Sequence, residues 1–125
     1  MLAVFWEEQE DYLEKILQLS KEKESVHAID IAKAMSFSKP SVSVAMNKLK
    51  ELGYIEINKK DEIILTSEGL LIAEKTLEKH ETLTQLLINL GVDPETALED
   101  ACRLEHDISD QTWEAIKNHV NNYKK

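Results

Sequence analysis

The sequence predicts a mainly α-helical chain with one small β-hairpin, and three observations carry that expectation. Only three Gly and two Pro interrupt 125 residues, so long helices with few breaks are expected. Apolar residues recur at helical spacing through most of the chain, as they do in helices that bury one face. The exception is a pair of apolar runs, Tyr54-Ile55-Glu56-Ile57 and Glu62-Ile63-Ile64-Leu65, flanking the polar turn Asn58-Lys59-Lys60-Asp61. Two isoleucine-rich runs around a polar turn read as a hairpin.

Each element follows from local signals. From about Glu8 to Lys21 the residues Tyr12, Leu13, Ile16, Leu17 and Leu19 make one helical face. A polar connector, Lys21-Glu22-Lys23-Glu24-Ser25, ends it. Ile29, Ile31, Ala32, Ala34 and Met35 predict a short second helix, closed by Ser36-Phe37-Ser38. Ser38 can cap a third helix, with Pro40 in its first turn, where a missing N–H costs nothing. The inward face of that helix is expected to be Val42, Ala45, Met46, Leu49 and Leu52, with Gly53 as the stop. The hairpin follows. Leu70, Leu71, Ala73, Leu77, Leu83, Leu86, Leu87 and Leu90 then carry a long helix to Gly91. Asp93 and Pro94 start another, through Ala97, Leu98, Ala101, Cys102 and Leu104. Ser109 can cap a last helix holding Trp113, Ile116 and Val120.

Three helices and a hairpin in that order are the pattern of a winged helix-turn-helix. The expected division is residues 1–66 for this module and 67–125 for a helical metal-binding and dimerisation domain. Composition agrees with a soluble globular chain, at 42 % hydrophobic and 31 % charged residues. The apolar start Met-Leu-Ala-Val-Phe-Trp lacks a basic flank and is too short for a signal peptide or a membrane span. A single cysteine cannot form an internal disulfide, so no membrane and a cytoplasmic setting are expected.

The net charge of −9 is unevenly spread. Residues 1–19 hold one Lys against five acids, residues 20–66 eight Lys against seven acids, and residues 67–125 six bases against twelve acids. The middle segment alone is not acidic. Its third helix would show Ser41, Ser43, Val44, Asn47 and Lys48 outward, with Ser38, Lys39 and Pro40 at its tip. Hydroxyls and an amide reach phosphates or base edges, and Val44 suits a thymine methyl group. Lys59 and Lys60 at the hairpin tip would brush the backbone. A double-stranded DNA operator, palindromic for a dimer, is the expected partner.

A second constellation concerns metal. Cys102, Glu105 and His106 lie at offsets of three and four, which puts a thiol, a carboxylate and an imidazole on one helix face. Asp11 and Glu14 share a face of the first helix, and His80 lies late in the long one. Three helices thus offer ligands of mixed softness. Enzymatic readings fare worse. His80-Glu81 starts a zinc-protease pattern, but Thr84 stands where the second His is required. No glycine-rich phosphate loop occurs, and Cys102 with His106 has no oxyanion site beside it. The chain is expected not to be an enzyme.

The chain resembles the diphtheria toxin repressor family, with its iron-dependent and manganese-dependent branches. The resemblance runs from Glu10 to about Val120 and is carried by Glu10-Asp11-Tyr12-Leu13-Glu14, Ile29-Asp30-Ile31-Ala32, Pro40-Ser41-Val42-Ser43, Leu65-Thr66-Ser67-Glu68-Gly69, His80, and Ala101-Cys102-Arg103-Leu104-Glu105-His106-Asp107-Ile108-Ser109-Asp110. It implies a homodimeric, metal-activated repressor of metal-ion homeostasis genes, in a short form without the extra C-terminal domain of longer members. It implies metal ligands at Asp11, Glu14, His80, Cys102, Glu105 and His106.

That ligand set is mixed. Cys102 matches the iron branch, while Asp11 and Glu14 match the manganese branch. Thr84 and Leu98 replace accessory ligands of the iron branch. Val44 stands where some relatives carry a polar base-contacting residue. A thiolate favours Fe²⁺, Co²⁺ or Zn²⁺ over Mn²⁺, so Fe²⁺ is the expected effector, Mn²⁺ next, with Zn²⁺ or Co²⁺ able to bind in vitro. The alternative is a metal-indifferent winged-helix module, for DNA binding or for interaction, whose Cys102 is merely packed.

Overall fold

The structure, a computed structural model, describes residues 2–123. The chain divides into two compact units, Met1–Lys75 and Thr76–Lys125. The elements are α1 (Leu2–Glu22), α2 (Ala28–Met35), α3 (Lys39–Glu51), β1 (Ile55–Ile57), β2 (Ile63–Leu65), α4 (Ser67–Asn89), α5 (Pro94–Asp107) and α6 (Asp110–Tyr123). The expected fold class is therefore present: helices throughout, with one antiparallel hairpin.

In the first unit α1 packs on α2 and β2, α2 on α3, and α3 on β1. Leu13, Ile16, Ile31, Val42, Met46, Leu49 and Ile55 are fully buried. Removing each such side chain from water contributes roughly 1.5–3 kcal/mol before chain entropy is set against it. The hairpin pairs Ile55 with Leu65, Glu56 with Ile64 and Ile57 with Ile63. Its turn is built by Asn58, whose side-chain oxygen accepts the N–H groups of Lys60 and Glu62 at 2.9 Å each. Lys59 and Lys60 are exposed there.

The helix signals worked where they were local. Ser38 accepts the Ser41 N–H at 3.3 Å, as a cap should. Asp93 accepts the Thr96 N–H at 3.1 Å. Gly53 adopts φ +83° and lets the Tyr54 N–H return to the Leu49 carbonyl at 3.0 Å, a Schellman ending.

Several expectations need correction. α1 begins at Leu2, not near Glu8, because its apolar first residues continue the helix instead of preceding it. Of the apolar residues that predicted α2, Ile29 is exposed, and Ile31 and Ala32 are the buried ones. Leu52, expected on the inward face of α3, is 44 % exposed because it is the residue on which the helix ends. Tyr54 belongs to that helix ending and not to β1.

In the second unit Leu77, Leu83, Ala97, Ala101, Trp113 and Val120 are buried. An ion pair between Lys117 and Glu78 at 2.9 Å joins α6 to α4 on the surface. No helix among the described residues is long and apolar enough to cross a membrane.

Candidate metal centre and nucleic-acid interface

α4 and α5 bring His80 to Cys102 and Glu105, although 22 residues separate the histidine from the thiol. His80 Nδ1 lies 3.2 Å from Glu105 Oε2 and 3.7 Å from Cys102 Sγ. On the other side of the carboxylate, His106 Nε2 lies 3.3 Å from Glu105 Oε1. The donor atoms of His80, Cys102 and Glu105 all fall within 4.8 Å of one another.

The burial is graded. Glu105 is 3 % exposed and His80 9 %, whereas Cys102 is exposed. The alternative of a merely packed thiol does not describe this exposed residue.

Charge and burial oppose one another in this pocket. Bonds to Cys102 and then to Glu105 push the His80 imidazole up to about 10, against the opposing effect of burial. Burial likewise works against the Glu105 carboxylate, yet the imidazoles of His106 and His80 hold its pKa below the usual range. Even so, neither buried Glu105 oxygen has a well-directed hydrogen bond. A charged carboxylate that is buried, approached by two imidazoles and not properly bonded to either is a strained arrangement for hydrogen bonding.

The same arrangement fits a cation. Two ligands at about 2.0–2.3 Å from one ion stand roughly 3.2–3.8 Å apart at tetrahedral angles, and the distances from His80 Nδ1 to Glu105 and to Cys102 both fall in that range. The donors are one nitrogen, one sulfur and one carboxylate oxygen, which suits a divalent transition metal.

Asp11 and Glu14 lie on α1 of the first unit, three residues apart, with Glu14 buried. The Thr84 hydroxyl donates to the His80 carbonyl at 2.7 Å, so it is bonded along its own helix. Leu98 is exposed.

The second candidate surface is the outer side of α3. Val42, Met46 and Leu49 are buried, so the opposite face points to solvent. There Pro40, Val44, Asn47 and Lys48 are exposed, with Ser41 beside them. Ser43, expected outward, is half-buried because it turns towards the hairpin. It forms, with Lys39 and Asn47, one wall of a groove of about 500 Å³ whose other walls include His27, Ile57 and Asp61. Ser38 is less available than expected, since its hydroxyl donates to Ser41 Oγ at 2.8 Å as well as capping the helix.

The sequence reading missed His27. Its N–H donates to Asp30 at 2.9 Å, and Asp30 also pairs with Lys23 at 3.0 Å. The available signal was an Asp three residues after the helix-entry residue, a reciprocal capping pattern.

Comparison with known proteins adds five findings. Residues 4–63 match the N-terminal DNA binding domain of the iron dependent repressors. Residues 66–125 match their metal binding and dimerisation domain. An HTH-type transcriptional regulator of Methanocaldococcus jannaschii is 37 % identical over 92 % of this chain and 94 % of its own length. The transcriptional regulator MntR of Escherichia coli is 33 % identical over 86 % of this chain and 70 % of its own. Among solved structures, the manganese regulator SloR superposes with a TM-score of 0.80 at 32 % identity, over 90 % of this chain. This chain spans about half, 53 %, of the SloR chain.

Proposed function

The chain belongs to the iron-dependent repressor family of metal-dependent, DNA-binding transcriptional regulators, and on that premise we propose that it is a homodimeric repressor of metal-ion homeostasis genes whose effector is Fe²⁺, with Mn²⁺ next. The observation that carries the metal preference is the exposed Cys102 sulfur beside His80 Nδ1 and the buried Glu105 carboxylate. Carboxylates accept Fe²⁺ and Mn²⁺ about equally, while sulfur favours the softer ion.

When bound, the ion supplies positive charge that neutralises Glu105 and draws side chains of separate helices together. His80, Cys102, Glu105 and His106 are its proposed ligands in the second unit. Asp11 and Glu14 are proposed as further ligands from α1, on the strength of their sequence spacing. His80 must give up its proton to become a ligand, and Cys102 must become a thiolate. Binding of the ion would shift the population towards the DNA-binding geometry. A tenfold shift requires only about 1.4 kcal/mol of differential binding.

α3 is the proposed reading helix, with Ser38, Lys39, Pro40, Ser41, Ser43, Val44, Asn47 and Lys48. Lys59 and Lys60 would steady the hairpin on the phosphates. Two heads of a homodimer would face a two-fold symmetric operator. A cytoplasmic setting belongs to the same reading.

Calorimetric titration with Fe²⁺ under anaerobic conditions, Mn²⁺ and Zn²⁺, paired with DNA binding under each metal, tests the proposal. Stoichiometric heat and metal-dependent DNA binding are expected, with Fe²⁺ bound more tightly than Mn²⁺. DNA binding that is the same with and without metal would make this a metal-indifferent winged-helix module instead.

A further inference from the structure

We infer that the exposed Cys102 thiol is the entry ligand of the metal centre, taking the ion by ligand exchange from a labile complex with a small chelator and passing it inward to Glu105. The inference rests on the metal-regulator reading above and adds the form in which the ion is delivered.

The four candidate donors of the second unit differ sharply in access. The Glu105 side chain is 1 % exposed, the His106 ring 7 % and the His80 ring 11 %, whereas Cys102 is exposed. Free cysteine is among the most buried residue types, so an exposed sulfur beside three withdrawn donors is the exception. Those three cannot reach an ion that still carries a chelator, because the chelator needs room next to the ion. The sulfur alone can bond to an ion that is still partly wrapped.

The buried end of the set holds the stronger attraction. Both Glu105 oxygens lie out of water without a well-directed hydrogen bond. A buried carboxylate gains more from a cation than an exposed group does. Between the two ends the donors form a short path. Cys102 Sγ stands 3.7 Å from His80 Nδ1, which stands 3.2 Å from Glu105 Oε2, and the donor atoms of all three residues lie within 4.8 Å of one another. Each neighbouring pair is close enough to share one ion, so no donor has to release it before the next takes hold.

In the exchange the Cys102 thiol gives its proton to solvent, a sulfur–metal bond forms and one chelator–metal bond breaks. No oxidation state changes. His80, shedding its ring proton, and Glu105 then replace the remaining chelator donors one at a time. Capture at the surface and retention inside are thus divided between two side chains of α5, three residues apart.

The test uses the full chain, stripped of metal and mixed in excess with Zn²⁺ held by a chromogenic pyridylazo chelator in a stopped-flow spectrometer. An attacking thiol gives a transfer rate that climbs with protein concentration without a plateau. Transfer through free ion levels off at the chelator's own release rate. Wild type is expected to climb, and Cys102→Ser, which alters an exposed side chain, to level off about tenfold or more below it. Glu105→Gln is expected to keep the transfer rate within about threefold of wild type and to lose bound Zn²⁺ to excess chelator about tenfold faster or more. A merely structural role for either residue would move both rates together. Asp11→Asn, which neutralises a half-buried carboxylate of α1, is expected to keep the climb.

A plateau in wild type overturns the inference and leaves the regulator reading intact. So does a Cys102→Ser variant that climbs as steeply as wild type, a Glu105→Gln variant that releases Zn²⁺ no faster, or a plateau produced by Asp11→Asn. Absence of both colour transfer and binding heat with Fe²⁺, Mn²⁺ and Zn²⁺ overturns the inference and the metal-regulator reading together.

Discussion

Gly69, in the first turn of α4, lies so close to the backbone carbonyl of Tyr54 that a Cβ at this position would overlap the oxygen. The approach is fixed by Thr66. Its N–H donates to the Tyr54 carbonyl at 3.1 Å, its hydroxyl donates to the Gly53 carbonyl at 2.7 Å, and the same oxygen accepts the Gly69 N–H at 3.1 Å. One threonine thus ties the end of α3, the hairpin and the start of α4 together.

Gly69→Ala would ordinarily gain up to about 1 kcal/mol of helix propensity. Here the new methyl meets backbone that cannot turn aside, so we expect a net loss of about 2 kcal/mol. Thr66→Val should lose about 1–2 kcal/mol by stripping two hydrogen bonds from one oxygen. Urea denaturation followed by circular dichroism checks both, and a Gly69→Ala midpoint at or above that of wild type would contradict the account.

This junction shows where sequence reading stops. In the chain alone, Gly69 reads as a minor weakness near a helix start, because its cause, Tyr54, lies in another element. Ser38, Pro40, Gly53, Asp93 and Pro94 were legible because a cap or a stop depends on its immediate neighbours. The winged-helix order was legible for the same reason, one local element after another. At the candidate metal centre, residue types and offsets gave Cys102, Glu105, His106 and His80 as candidates. They did not give the 3.7 Å between His80 and Cys102, nor the contrast between a buried carboxylate and an exposed thiol. Those depend on how α4 meets α5, which no helix period contains.

The exposed sulfur yields a selectivity prediction. Cys102→Ser keeps the size of the side chain but removes the soft donor. Affinity for Fe²⁺ and Zn²⁺ should fall by at least about tenfold, or roughly 1.4 kcal/mol. Mn²⁺ affinity should fall less, because an oxygen donor suits it. Competition against a calibrated chelator measures all three. An equal loss for Mn²⁺ and Zn²⁺ would mean that the sulfur does not set the preference.

Metal removal exposes the protonation chemistry of the same pocket. In the metal-free protein the His80 pKa is raised from 6.5 to about 10. A raised folded-state value means that the contribution to stability is complete below about pH 6.5 and is lost as pH climbs through about 10. Glu105 has its value lowered, so its contribution holds above the unfolded value of 4.5 and fades as pH falls. Chelator-treated protein should therefore melt highest in mildly acidic buffer, with the melting temperature declining from about pH 7 to 10. Metal affinity should move the opposite way and rise with pH, since His80 must shed a proton to bind. A His80→Gln variant should flatten the alkaline decline, and a wild-type decline that persists unchanged in the variant would place its cause elsewhere.

The entry to α2 gives a cleaner titration, because no metal ligand takes part. Asp30 accepts the His27 N–H at 2.9 Å and pairs with Lys23 at 3.0 Å. The His27 N–H, above all, lowers its carboxyl pKa below the ordinary 3.8 against the opposing effect of burial, with Lys23 assisting. A lowered folded-state value means stability present above the unfolded pKa and lost as pH falls through the folded one. Asp30→Ala should cost about 1 kcal/mol at neutral pH, the usual value of a lost helix-entry bond. The same substitution should cost progressively less as pH falls below 3.8 and through the lowered folded-state value, where the wild-type carboxyl is itself protonated. Lys23→Ala should cost less than Asp30→Ala at neutral pH, since a half-exposed lysine pair contributes little beside the backbone bond. Urea midpoints for wild type and both variants across pH 2–7 measure this. A cost for Asp30→Ala that does not shrink in acid would show that the ionised carboxylate is not what holds the start of α2.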